Sequence, residues 1–315
     1  VGHRRVGPDR HDVPPLAVED VLDQHGGRLL PRSVVPRRAH LHCPTSRRVV
    51  RGDAGTLRGG RSGTPCAAPR ASHAGVPTDR LPDHGIDVAR ARAETPGCED
   101  VVHLDHAGAS LPPRAVVDAQ VDWLRAEART GGYALAAARA DELEAAYDEV
   151  AALLGAHRDE VALVENATFA WHQAFWSLDL RPGDRVLTAG VEYATGLVSM
   201  LQARARRGVV VEVLPDDESG ALSLDALARA LDDDRAGPVG LVAVTHVPTN
   251  GGLVNPAEEI GRLTRAAGVP YLLDACQSVG QMPVDVEAIG CDLLSATGRK
   301  FLRGPRGTGF LYVRR

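Results

Sequence analysis

From about residue 101 onward, short apolar runs alternate with amphipathic stretches of helical length, and this alternation constrains the fold more than any other feature. Runs at 160–164 (EVALV), 185–188 (RVLT), 209–213 (VVVEV), 240–245 (GLVAVT) and 270–273 (PYLL) have the length and continuity of buried strands. Stretches at 168–178, 195–206, 223–232 and 256–267 are rich in Ala, Leu, Arg and Glu, as helices are, and Arg181-Pro182-Gly183-Asp184 marks a turn between elements. Ser223, just ahead of Leu224-Asp225-Ala226-Leu227, is placed to cap the helix that follows. The pattern predicts an open, mostly parallel α/β sheet flanked by helices. Two longer helices are predicted at 113–130 and 138–155, before the first strand. The run Gly309–Val313 would be a strand at the chain's end with no helix to cover it, so a C-terminal portion is expected to lie beyond Arg315.

The first hundred residues do not share the pattern. They hold 16 Arg, 11 Pro, 12 Gly and 7 His but no Lys and no aromatic residue, and all 12 aromatics lie at Trp123 or later. Burial of so little apolar surface cannot offset the entropy of ordering the backbone. Residues 1–98 are therefore expected to be disordered or loosely structured, and the domain proper to span 99–315. A start at Val1 with no Met before Met200 also fits a misplaced translation start. This stretch carries +4 against −9 for the remainder, but its acids are interspersed and it has no dense basic block with aromatic stacking partners. Nucleic-acid binding is not indicated. No apolar run approaches the length of a membrane span and the first thirty residues lack the order of a signal peptide, so a cytoplasmic protein is expected. Cys43, Cys66, Cys98, Cys276 and Cys291 form no CxxC pair and no metal-ligand spacing, which indicates neither a disulfide framework nor a metal site.

The chain has 35 Arg and a single Lys, Lys300. Arginine replaces lysine wherever only a surface charge is needed. It cannot do so where a nucleophilic amine is required, because a guanidinium stays protonated. Lys300 lies in a polar, glycine-rich turn, Ser295-Ala296-Thr297-Gly298-Arg299-Lys300, followed by Phe301-Leu302-Arg303-Gly304-Pro305-Arg306-Gly307-Thr308-Gly309. Such a turn gathers hydroxyl, guanidinium and backbone N–H donors around one amine, which suits a phosphate-bearing cofactor. Upstream, Tyr271-Leu272-Leu273-Asp274 is an apolar run ending in a carboxylate, at the end of a strand where open α/β sheets bind ligands. A helix cap explains an Asp there equally well. The segment Glu165-Asn166-Ala167-Thr168-Phe169 opens a helix after a strand, and free N–H groups at a helix start suit an anion, although Thr168 could be a simple cap.

Residues 101–315 resemble the class V aminotransferases, a group of fold-type I pyridoxal-phosphate enzymes that includes cysteine desulfurases. Thr297-Gly298-Arg299-Lys300 resembles the family's Ser-Gly-His-Lys motif, which implies that Lys300 forms the Schiff base and that Thr297 and Arg299 contact the cofactor phosphate. Asp274 and Gln277 match its Asp-x-x-Gln motif, implying a salt bridge to the pyridine nitrogen and a hydrogen bond to the phenolic oxygen. Ala167-Thr168 matches the family's phosphate turn. Tyr193 stands where desulfurases place a His over the cofactor ring, keeping the stacking face without the titratable imidazole. Thr249, with Asn250 a competitor, matches a polar residue near the phenolic oxygen, while His246 is expected to be a packing residue. Leu104-Asp105-His106-Ala107-Gly108-Ala109-Ser110 resembles a loop bordering the substrate, and Gly131-Gly132-Tyr133 either approaches the site or simply ends a helix.

The resemblance implies the large domain of a fold-type I pyridoxal-phosphate enzyme with its C-terminal small domain largely absent, acting on a small amino acid and homodimeric when full length. Transaminase, desulfurase, epimerase and C–S lyase chemistry all occur in the family, and the lysine motif with Gly131-Gly132-Tyr133 favours the lyase and epimerase side. The family's substrate-carboxylate arginine and desulfurase cysteine are expected beyond Arg315, and Cys276 and Cys291 are expected to be packing residues. The alternative is a truncated, non-catalytic fragment that keeps the cofactor fold as a binding or interaction module. A nicotinamide-binding domain is disfavoured, since no G-x-G-x-x-G follows the first strand.

Overall fold

A computed structural model of the protein describes residues 86–315. Among these residues, β1 Val161–Val164, β2 Arg185–Thr188, β3 Val210–Val213, β4 Val239–Thr245, β5 Tyr271–Asp274, β6 Leu293–Thr297 and β7 Gly309–Val313 form one sheet, in the order β3-β2-β4-β5-β6-β7-β1. β7 runs antiparallel to both its neighbours, and every other pairing is parallel. The expected mostly parallel α/β sheet is therefore present. β6 was not legible as a strand, because Ser295, Ala296 and Thr297 lack the bulky β-branched run that marks the others.

The helices are α1 Val88–Ala93, α2 Arg114–Thr130, α3 Gly132–Ala138, α4 Ala140–Leu154, α5 Ala167–Ser177, α6 Ala194–Arg207, α7 Leu224–Asp232, α8 Ala257–Ala267 and α9 Val286–Ile289. They match the helical patterns of the sequence except for α1, α3 and α9. The Ser223 cap is present, its hydroxyl accepting from the Ala226 N–H at 3.2 Å. Alternate strand residues face opposite layers, as the two-residue period of a strand requires. Leu241, Ala243, Leu272 and Leu311 pack against Trp171 and Phe175 of α5 and Met200 of α6. Val242, Val244, Leu273 and Tyr312 pack on the other face with Leu154 of α4, Leu227 of α7, Ile260 of α8 and Ile289 of α9. Burial on both faces explains why the strands read as continuous apolar runs.

Local structure begins before residue 99. Residues 86–98 are folded: Asp87 caps α1, Arg114 N–H donates to the Glu94 carbonyl at 2.8 Å, and Thr95 is only 3% exposed. Side-chain and backbone hydrogen bonds, invisible to an apolar-content argument, anchor this stretch. The expectation for residues 1–85 lies outside the described residues. No helix among the described residues is long and apolar enough to cross a membrane.

Candidate active site

The strand order reverses direction between β2 and β4, since β3 continues from β2 on one side while β5 and β6 continue from β4 on the other. Ligands bind beyond the carboxyl ends of strands at such a point. Here those ends carry Asp274 on β5, Thr297 on β6 with Lys300 just after it, and the segment after β2 with Glu192 and Tyr193.

Asn166, Ala167, Thr168, Trp171, Tyr193, Thr195, Asp274, Cys276, Thr297, Arg299 and Lys300 line one cleft with about 330 Å³ of open space. Lys300 is 4% and Asp274 8% exposed. The Lys300 amine sits 5.4 Å from the centre of the Tyr193 ring, a cation–π distance. Burial pushes the Asp274 carboxyl above its ordinary value, opposed by the Cys276 N–H at 2.9 Å and by the positive charge of Lys300. A buried carboxylate of this kind calls for a cationic partner.

One side of the cleft is built from two helix starts. Asn166, not Thr168, caps α5, its side chain accepting from the Phe169 N–H at 2.8 Å. That leaves the Thr168 hydroxyl free to meet the Thr195 hydroxyl at the start of α6, 3.1 Å away. Arg299 donates to the Thr297 hydroxyl at 3.3 Å, which itself donates to the Thr308 carbonyl at 3.2 Å. Two helix N-termini, three hydroxyls and one guanidinium thus converge where a dianion would be held.

Thr249 and Gln277 lie elsewhere. The Gln277 amide donates to the Thr249 hydroxyl at 3.0 Å and to the Ala107 carbonyl at 3.1 Å, and these residues line a second cleft with Phe301 and Met282. The Gln277 side-chain oxygen is buried without a hydrogen-bond partner among the described residues. A third cleft contains both Tyr193 and Thr249, so it adjoins the other two. Ala107 brings the Leu104–Ser110 loop to the second cleft, whereas Tyr133, on α3 and 97% exposed, lines none of the three. His246 packs as expected: burial holds its imidazole down at about 4, and its Nδ1 has no partner among the described residues.

Sequence reasoning missed Trp171, Thr195 and Glu192. The Glu192 carboxyl accepts from the Thr245 N–H at 2.9 Å and hydroxyl at 2.6 Å, and burial, aided by the charge of Asp274, raises it to about 7. Thr245 pairs with Asp274 across β4 and β5, so Glu192 ties the Tyr193 segment to the strand ends that hold the site. The one available signal was its place beside Tyr193. Burial also pushes the Cys276 thiol well above its ordinary value and that of Cys291 to about 12.

A family model described as aminotransferase class-V matches residues 102–315. The chain belongs to the class-V aminotransferase family. This family member is 35% identical over 224 residues to a probable cysteine desulfurase of Methanothermobacter thermautotrophicus, an alignment covering 70% of this chain and 55% of that protein. It is 34% identical over 234 residues to a cysteine desulfurase of Haloferax volcanii, covering 70% and 54%. Among solved structures, the apo cysteine desulfurase from Thermococcus onnurineus NA1 matches with a TM-score of 0.67 at 26% identity, covering 72% of this chain and 57% of that one. The chain spans about half the length of the curated relatives it matches. Class-V aminotransferases are pyridoxal-phosphate enzymes of fold-type I, and the donor set of the cleft fits that cofactor: an amine, a buried carboxylate, an aromatic face and an anion-binding rim.

Proposed function

We propose that this chain binds pyridoxal phosphate through Lys300 and, as a transferase or lyase, acts on a small amino acid. The observation that carries the reading is a buried carboxylate, Asp274, and a buried amine, Lys300, sharing one cleft in a chain with no other lysine. Lys300 would hold the cofactor aldehyde as a Schiff base, and Asp274 would pair with the ring nitrogen and keep it protonated. Tyr193 would offer its ring face, while Ala167, Thr168, Thr297 and Arg299, with the starts of α5 and α6, would hold the phosphate. Gln277 and Thr249, linked to each other, serve the phenolic-oxygen side. When bound, the cofactor supplies an electron sink for the pair left on the substrate Cα. The Lys300 Nζ, which lines the same cleft, would be placed to carry a proton to or from that carbon.

Buried, protonated thiols at Cys276 and Cys291 are poorly suited to take sulfur from a substrate. That favours lyase or epimerase chemistry on this chain's own residues, and with desulfurases among its relatives a sulfur-bearing amino acid is the first substrate to try. The reading includes a homodimer in the full-length protein, supported by Val117, Val121 and Leu124 exposed on α2, and a cytoplasmic location, which the free thiols of Cys98, Cys276 and Cys291 among the described residues suit. The test is titration of the protein with pyridoxal phosphate, followed by the imine absorbance. The wild-type chain should develop the band and Lys300→Arg should not, since a guanidinium cannot condense with the aldehyde. A band of equal strength in the arginine variant would overturn the assignment.

A further inference from the structure

Arg303 is the only non-glycine among the described residues with a positive φ, at 60°, a left-handed conformation disfavoured for residues that carry a side chain. Its backbone explains part of this. The Arg303 N–H donates to the Lys300 carbonyl at 2.9 Å and the Gly304 N–H to the Gly298 carbonyl at 2.8 Å, closing a tight turn around the lysine. Glycine would adopt the same turn with less strain, so the side chain needs its own reason.

That reason lies in a segment the composition gives no cause to fold. Arg303 Nε donates to the Leu111 carbonyl at 3.2 Å and its Nη2 donates to the Thr95 hydroxyl. The Thr95 hydroxyl donates its own proton to the Ala91 carbonyl at 2.7 Å, which leaves its lone pairs facing the guanidinium. On the other side of the lysine, the Ser110 N–H donates to the Arg299 carbonyl at 2.9 Å. Residues 95–111 therefore grip the turn both before and after Lys300. The amine itself has no hydrogen-bond or ion-pair partner among the described residues, only the Tyr193 ring, so its direction is set by the turn that carries it.

We propose that Arg303 is a positioning residue, clamping the Lys300 turn to Thr95 and Leu111 so that the amine is held toward the cofactor aldehyde. The inference rests on the cofactor reading above. Its test uses Arg303→Gly in the full chain, because glycine suits the positive φ and keeps the turn while removing the clamp. Thr95→Val removes the acceptor at the far end and carries the test should the glycine variant fail to fold. The measurements are the rate of imine formation with pyridoxal phosphate, the visible circular dichroism of the bound cofactor, and amide exchange at Ser110 in cofactor-free protein.

Arg303→Gly should form the imine about tenfold more slowly, the equivalent of one charge-assisted hydrogen bond. It should also show a weakened dichroic band, although its melting temperature stays within about 5 °C of wild type. Thr95→Val should move in the same direction by less, and the double variant should be no worse than Arg303→Gly alone, because both break one link. Wild-type imine rate and dichroism in either foldable variant, or fully additive effects, would overturn the proposal. If even the wild-type chain forms no imine, the cofactor reading fails, and amide exchange still decides the clamp: faster Ser110 exchange in Arg303→Gly supports it and unchanged exchange overturns it.

Discussion

Replacing Glu192 with glutamine should stabilise the protein at neutral pH and flatten the pH dependence of its stability. Burial and the neighbouring Asp274 charge raise this carboxyl from 4.5 to about 7 in the folded chain. Below pH 4.5 it is protonated both folded and unfolded, and pH has no effect through it. Between 4.5 and about 7 the unfolded chain releases the proton while the folded chain retains it, so each pH unit gained favours unfolding by about 1.36 kcal/mol. Above about 7 both states are ionised and the loss is complete, at ~3 kcal/mol in total. The sign is opposite to that of a salt-bridged carboxylate. Glutamine keeps an oxygen for the Thr245 N–H, and its amide can donate to the Thr245 hydroxyl, so both contacts survive without the charge. Urea unfolding of wild type and Glu192→Gln across this pH range measures the effect. The variant's advantage should grow by ~3 kcal/mol as the pH rises and then level off. A constant difference at every pH would refute the reasoning.

Asp274→Asn should still bind pyridoxal phosphate but lose turnover by about 100-fold or more, because a neutral amide cannot hold the ring nitrogen protonated; near-normal kcat would reduce Asp274 to a cap on the Cys276 N–H. Gly280→Ala should cost about 2–4 kcal/mol in thermal melts, since Gly280 has φ 84° and an added Cβ would lie 2.7 Å from the Leu302 nitrogen and 2.8 Å from the Phe301 carbonyl carbon, in the turn after Lys300. Unchanged melting would contradict that packing. A chain beginning at Ile86 should melt like the full chain, whereas one beginning at Glu99 should lose about 2 kcal/mol or more by leaving Arg303 without Thr95. Equal melting of the two would mean that α1 and Thr95 contribute nothing.

Strands buried on both faces announced themselves, because β2, β4, β5 and β7 are each a run of apolar residues bounded by turns. β6 escaped because Ser295 and Thr297 are polar where they approach the site. Lys300, Asp274 and Thr297 stand in short local motifs readable from the sequence, and the structure brings all three to one cleft. Trp171 and Thr195 were not legible, since they reach the Lys300 cleft through packing of α5 and α6, and Glu192 was not, since it is tied to Thr245 of β4 and lines only the neighbouring cleft. Gln277 and Thr249 were picked out by motif, but their mutual hydrogen bond and separate cleft are not something a motif reveals. The folded state of residues 86–98 was illegible for a related reason: Thr95 and Glu94 are held by polar bonds to Arg303 and Arg114, and apolar content says nothing about those.

Lys300 is the proposed cofactor anchor, and its being the chain's single lysine makes that directly measurable. Borohydride reduction of the cofactor-loaded protein, followed by digestion and mass spectrometry, locates every amine that carried the cofactor. With a single lysine in the chain, the phosphopyridoxyl group should appear on the peptide containing Lys300 and vanish from it in Lys300→Ala. Label found on the Val1 amine instead, or an unlabelled Lys300 in protein that holds the cofactor, would contradict the central claim.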